Sequence, residues 1–314
     1  MTKGKKIFII LSAVVLTLLI GLGIFAVVNY YKDLADTGLS NSVPYGFGKD
    51  VRVIIIAGQS NAAGCSRDDY LQKNTTPEQY EKYKNGFDNV YINYYNTGLS
   101  ESRGFVKCKA NQGDMQGFFG PELGLAEKLS ELYPNETIFI VKYAWSGTDL
   151  STLWRSPSNN GEVGQLYTPF IDFVKNSMEF LKLKNYNVKI EAMCWMHGES
   201  DSVDEMTALE YESNLTYFIS DVRTELGDYA SSDGIAFVDA YIAESIFWTH
   251  YKTINAAKQA VADTSPMNTV IDTISKGLSI IEEPEPEPDL AHYDSMSEIK
   301  LGHLFAEEIA KFLD

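Results

Sequence analysis

The sequence predicts an α/β fold, a mostly parallel sheet with helices on both faces, preceded by one membrane-spanning helix. Three observations carry this. From residue 51 onward, short apolar strand-like runs alternate with longer amphipathic ones, the pattern of successive βαβ units. The runs at 51–57 and 137–143 are apolar on successive residues, as strands buried on both faces must be. Near the N-terminus, residues 7–28 form a stretch of 22 without a charge, long enough to cross a ~30 Å hydrocarbon layer as a helix.

Taken in order, "MTKGKK" places Lys3, Lys5 and Lys6 before the apolar stretch, and the positive-inside rule then holds that end in the cytoplasm. Tyr30 and Tyr31 follow it and suit a membrane interface. A cleaved signal peptide is the alternative, although its apolar core is ordinarily shorter, about 7–15 residues, with a small-residue site that is missing here. Residues 1–31 are therefore read as a cytoplasmic end and single-pass anchor in the cell membrane, with the rest of the chain extracellular. Residues 32–50, polar, aperiodic and rich in Gly and Ser, read as a linker. The folded part is 51–314.

Strands are predicted at 51–57, 90–95, 137–143, 188–195 and 234–238. Helices are predicted at 120–132, 168–183, 206–226, 250–262 and 297–313. The acidic, proline-rich "EEPEPEPD", 282–289, suits neither a helix interior nor a central strand. It reads as a rigid spacer or as a solvated loop. The segment 67–111, with its many tyrosines, reads as an insertion that carries specificity.

Composition narrows the function. A formal charge of -17 argues against a nucleic-acid surface, which needs clustered Lys and Arg. Cys65, Cys108 and Cys194 show no C-x-x-C spacing; Cys194 reads as a core thiol, and a Cys65–Cys108 disulfide is possible outside the cell. The histidines His197, His250, His292 and His303 lack metal-ligand spacing, so neither metal nor cofactor is expected. Asn74, Asn135 and Asn214 begin N-x-[ST] sequons, which matter only in a glycosylating host.

Ligands of open α/β sheets bind at the carboxyl ends of the strands, so those ends were read together. The first strand runs into "GQSNAAG", which presents Ser60 between Gln59 and Asn61, amides suited to fixing a turn. The strand at 137–143 ends in "AWSGTDL", with Gly147 free of a side chain in front of its backbone N–H. The strand ending at Trp195 leads to "MHGESD", with His197 and Glu199. Before the last helix comes "DLAHYDS", with Asp289 and His292. A hydroxyl, an imidazole and a carboxylate are the parts of serine acyl transfer. The N–H groups of Ser60, Gly147 and the His197 ring are candidate donors to the developing oxyanion. His303, on the last helix, reads as surface or packing.

The stretches "IIIAGQSNAAG", "FGPELGLAEKL", "IVKYAWSGTDLSTLW", "CWMHGESD" and "DLAHYDSMSEIKLGHLFAEEI" resemble the SGNH hydrolase superfamily, in the branch of sialate O-acetylesterases and acetylxylan esterases. The resemblance implies a three-layer α/β/α sandwich with a flavodoxin-like sheet. It implies Ser60 as nucleophile, His292 as general base, Asp289 as its orienting partner, and the N–H groups of Ser60 and Gly147 as two oxyanion donors. The third donor of this branch is usually a glutamine; His197 stands there instead, and its donor ability would then vary with pH. Glu199 follows the pattern and is expected to brace its turn. The implied substrate is an O-acetylated carbohydrate, sialate, acetylxylan or an envelope polysaccharide, on which Tyr95, Trp145 and Trp154 are candidates for stacking. The alternatives are a non-catalytic carbohydrate-binding protein on the same fold, and a lipase or thioesterase of the wider superfamily. The oligomeric state is not legible.

Overall fold

A computed structural model of the chain describes residues 3–40 and 43–313, with side chains in the first helix only at Val15 and from Leu18 onward. The predicted cytoplasmic lysines lie outside the described side chains. Helix α1 spans Lys3–Asp36, so it continues past the predicted end of the anchor at residue 31 and takes in the start of the predicted linker.

Strand β1 (Lys49–Gly58) leads into the one-turn helix α2 (Ser60–Ala63) and the two-residue strand β2 (Ser66–Arg67). The tyrosine-rich insertion then forms α3 (Asp68–Asn74) and α4 (Pro77–Asn85) before β3 (Val90–Asn96) and the short pieces β4 (Ser100–Glu101), β5 (Val106–Lys107) and β6 (Phe118–Phe119). Next come α5 (Pro121–Leu132), β7 (Ile138–Ala144), α6 (Tyr167–Leu183), β8 (Tyr186–Met196) and α7 (Glu205–Glu225). The chain closes with β9 (Ala236–Ala240), α8 (Tyr251–Ala262), β10 (Asn268–Ile271) and α9 (Ser295–Ala310). The five predicted strands and five predicted helices are all here. Helices α3 and α4 are short and polar, and β10 has only four residues, three of them half-buried, at a sheet edge, so none carries a strong periodic signal.

The main sheet runs β10-β9-β8-β1-β7-β3-β4, with β5 also on β3. Its long strands pair in parallel. Without β3 and the short strands on it, the remaining β7-β1-β8-β9-β10 is the flavodoxin order. The carboxyl ends of β1, β7 and β8 therefore open on one side. Gly58 is obligatory there: its φ is 142°, and a Cβ would stand 2.0 Å from the Met196 carbonyl oxygen. Helices α5 and α9 approach closely because Gly124 faces the Ile299 carbonyl and Gly302 faces that of Pro121.

One residue breaks the apolar logic of β7. Lys142 is fully buried in mid-strand, and its Nζ donates to Glu122 Oε2 at 2.6 Å and to the Ala63 carbonyl at 2.8 Å. Its charge thus sits at the carboxyl end of α2, where a cation is favoured. Lys142→Met should destabilise the fold by about 3–5 kcal/mol, because it strands a buried carboxylate without its cation. Adding Glu122→Gln should restore most of that loss in urea unfolding; an equal loss in the double variant would show that the pair is not the cause.

Candidate active site

The turn after β1 is held from every side. Gln59 N–H donates to the Met196 carbonyl at 3.0 Å, and Gln59 Oε1 accepts from Ser200 N–H at 3.3 Å. Ala62 and Ala63 donate back to the Gln59 carbonyl, and Gly64 to that of Ser60. Ser60, read as the nucleophile, is 8% exposed at the mouth of the sheet.

Asp289 and His292 face one another across a tight turn. His292 Nδ1 lies 2.8 Å from Asp289 Oδ2, while Asp289 Oδ1 accepts from the Ala291 and His292 N–H groups at 2.8 and 2.9 Å. With Nδ1 so engaged, Nε2 points away from Asp289. Burial works against ionisation of Asp289, but the His292 ring and the two N–H groups outweigh it and hold the carboxyl below its usual range. Burial also opposes the charge on His292, yet Asp289 and the neighbouring Cys65 push its pKa up to about 10.

Asn61 joins the two halves. Its Nδ2 donates to Glu199 Oε1 at 2.8 Å and to the Ala291 carbonyl at 3.3 Å, and its Oδ1 accepts from Tyr293 N–H at 3.1 Å. The residue after Ser60 thereby grips the residues on both sides of His292. Glu199 is fully buried, which raises its pKa, and its Oε2 has no partner among the described residues.

The Gly147 loop leaves β7 with φ 70° at Gly147 and no atom within 4 Å of where a Cβ would stand. Ser146 N–H donates to Thr97 Oγ1 at 3.2 Å and Ser146 Oγ to Asp114 Oδ2 at 3.0 Å. Both oxygens of Asp201 take the Leu150 N–H at 3.0 Å. Among the described residues, no backbone hydrogen bond occupies the N–H of Ser60 or of Gly147.

His197 departs from expectation. Its ring has no exposed surface and stacks on Trp195, centroids 4.7 Å apart, with Nδ1 3.5 Å from the Tyr211 hydroxyl. Nε2 has no partner among the described residues. Burial, aided by Lys258, lowers its pKa to about 3, so the imidazole is neutral across ordinary pH.

Other readings are settled by packing. Trp154 is fully buried against Tyr143, Phe170 and Trp195, so it is a core residue and not a sugar platform. Tyr95 and Trp145 are half-buried, with ring centroids 6.1 Å apart. His303 pairs with Glu127 at 2.9 Å. Cys65, Cys108 and Cys194 are all free thiols, and Cys108 is turned inward toward the Glu122 carbonyl. The acidic, proline-rich segment is tied down: Glu283 accepts from Ser295 and Asn74, Glu285 pairs with Lys73, and Asp294 caps the N–H groups of Glu282 and Glu283. It leads directly into Asp289.

Sequence reasoning missed Cys65 as a neighbour of His292. The two line one cleft of about 200 Å³ with Arg67, Phe118, Glu283 and Asp289. It also missed Asp201 and Asp114, which hold the Gly147 loop; Asp201 stood within the quoted "MHGESD" but carried no signal apart from its neighbours.

The sequence profile for carbohydrate esterase, sialic acid-specific acetylesterase matches residues 50–311. No curated protein is similar enough in sequence to serve as a relative. Among solved structures the fold is similar to a protein from Arabidopsis thaliana, at 18% identity and TM-score 0.62 over 83% of this chain and 98% of that one. It is similar to NanS, at 16% identity and TM-score 0.55 over 85% and 98% of the two chains. It is also similar to a carbohydrate acetylesterase from Xanthomonas citri, XAC1771, at 16% identity and TM-score 0.53 over 83% of this chain and 56% of that one. The profile spans nearly all of the folded part, and the chain belongs to the sialic acid-specific acetylesterase family of carbohydrate esterases.

Proposed function

We propose that this carbohydrate esterase removes O-acetyl groups from saccharides outside the cell through Ser60, His292 and Asp289. The observation that carries the reading is the Asp289–His292 pair at 2.8 Å, gripped on both flanks by the residue that follows Ser60. In the first half-reaction, His292 Nε2 takes the proton of Ser60 Oγ as the oxygen attacks the acetyl carbonyl. The N–H groups of Ser60 and Gly147 donate to the resulting oxyanion. The C–O bond to the sugar then breaks, the sugar oxygen takes the proton from His292, and acetyl-Ser60 remains. Water, deprotonated by His292, attacks the acetyl-enzyme; acetate leaves and Ser60 regains its proton. Asp289 keeps Nδ1 protonated and offsets the imidazolium charge at each step. Gln59, Asn61 and Glu199 hold the geometry, and the neutral His197 ring supports the floor with a constant dipole.

The half-buried Tyr95 and Trp145 suit stacking on a sugar ring at the rim. Anchoring rests on α1, a helix long and apolar enough to cross a membrane, whose residues Leu18–Val28 are all exposed. The N-terminus is then cytoplasmic and the esterase domain external.

Acetate release from O-acetylated sialic acid, acetylated xylan and an aryl acetate tests the chemistry and ranks the sugars. Ser60→Ala should abolish release with the fold intact, and Asp289→Asn should cut it about 10⁴-fold. His303→Ala should change little; a loss as large as that of His292→Ala would place the base elsewhere. No release from any ester by a folded protein would favour the carbohydrate-binding alternative.

The pH profile adds a second check. His292 acts as base only when neutral, so kcat/KM should rise with pH as the free enzyme loses that proton. Because its pKa is held up toward about 10, the limb lies on the alkaline side. Cys65→Ala removes one group that favours the proton and should move the limb to lower pH; an unmoved limb would mean that Cys65 does not act on His292.

A further inference from the structure

We propose that the face of the domain at the amino ends of the strands is seated on the lipid surface, with Tyr45 and Phe47 in the headgroup layer, so that the catalytic mouth opens away from the membrane. This rests on the reading of α1 as an anchor.

The predicted linker does not behave as a free tether. Leu34 and Thr37 are buried, and Tyr30 and Leu39 pack against the core. Ser40 N–H donates to the Arg103 carbonyl at 2.7 Å, and Gly46 and Gly48 donate to the carbonyls of Lys184 and Asn185 at 2.6 and 2.7 Å.

These bonds fix the course of the chain after the helix. Arg103 adjoins Gly104, whose N–H binds Asn93 halfway along β3, whereas Lys184 and Asn185 immediately precede β8. From Ser40 to Gly46 the chain therefore descends to the amino-end face. Tyr45, at the bottom of that descent, comes within electrostatic reach of Tyr30 on α1. With Tyr30 and Leu34 packed against the domain and Tyr45 near Tyr30, the apolar residues that precede them on α1 leave on the amino-end side. Val28, the last of the uncharged run, stands only six positions before buried Leu34, about 9 Å of helix. The hydrocarbon boundary must then lie close under the domain.

What stands at that level suits lipid headgroups. Phe47 is 84% exposed and Tyr45 44%, their rings in edge contact at 5.0 Å, beside the Tyr30–Tyr31 pair. Aromatic rings concentrate at such interfaces. Strand β1 runs from this face to the turn of Ser60, and its ten residues hold the mouth about 30 Å above the seat. An ester on a lipid headgroup of the same membrane is then out of reach, and a saccharide chain approaching from outside is within it.

The test uses the full chain in phosphatidylcholine vesicles that carry bromine on the upper acyl chain. Phe47→Trp should add fluorescence that the brominated lipid quenches. Ile246→Trp, at an exposed site beside the Asp289 loop, should add fluorescence that it does not quench. Equal quenching of the two variants in vesicles that float with the protein would overturn the seated orientation and leave the anchor standing. Protein that fails to float with the vesicles would overturn the anchor, and the orientation with it.

Discussion

The side-chain amide of Asn61 is the contact on which the site depends. Three loops reach the mouth from distant parts of the chain, after β1, after β8 and before α9, and nothing in their local sequences brings them into register. One buried carboxamide does so, donating to Glu199 and to the Ala291 carbonyl and accepting from Tyr293 N–H. An amide offers two donors and an acceptor in fixed planar geometry, which suits a junction of three backbones. Because the group is buried, losing a partner would leave a polar atom unsatisfied in an apolar surround, and this gives the junction its rigidity.

Beneath the mouth lies a floor unusually rich in buried charge for a parallel sheet. Lys142 meets Glu122, and Lys258 meets Asp239 at 2.7 Å with its Nζ also on the Ala240 carbonyl. Desolvation drives the ionisable groups there apart: Asp201 rises to about 7 and Asp239 to about 6, while His197 falls to about 3. His292 goes the other way because a carboxylate and a thiol group stand beside it. Two histidines at the ends of neighbouring loops thus take opposite protonation behaviour from their surroundings, one fixed as a neutral dipole and one able to carry a proton.

In the proposed seating, the same strand direction that gathers the loops also sets the orientation of the molecule. In a parallel sheet every amino end lies on one side and every carboxyl end on the other. A helix that docks at the amino ends is thereby opposed to the site by the length of a strand, with no hinge or lid required.

Much of this was legible in the chain. The long buried strands and amphipathic helices declare themselves by period, because burial on two faces or one stripe constrains residue after residue. Ser60, Gly147, Asp289 and His292 stand at predicted strand and loop ends, where turn chemistry is local. The failures share a cause, which is that their partners are distant in sequence. Trp154 reads the same whether it faces a sugar or Phe170; Cys65 gives no sign that His292, far along the chain, shares its cleft. Lys142 interrupts an apolar run for reasons visible only once Glu122 and Ala63 close around it. Residues 32–50 look like a tether because the hydrogen bonds that tie them to the domain go to Arg103, Lys184 and Asn185, far along the chain. The sequence by itself determined the elements, their alternation and the reactive residue types, since those follow from local period and turn preference. Tertiary structure alone decided which groups meet and which protons they hold, since desolvation and charge depend on neighbours that only folding brings together.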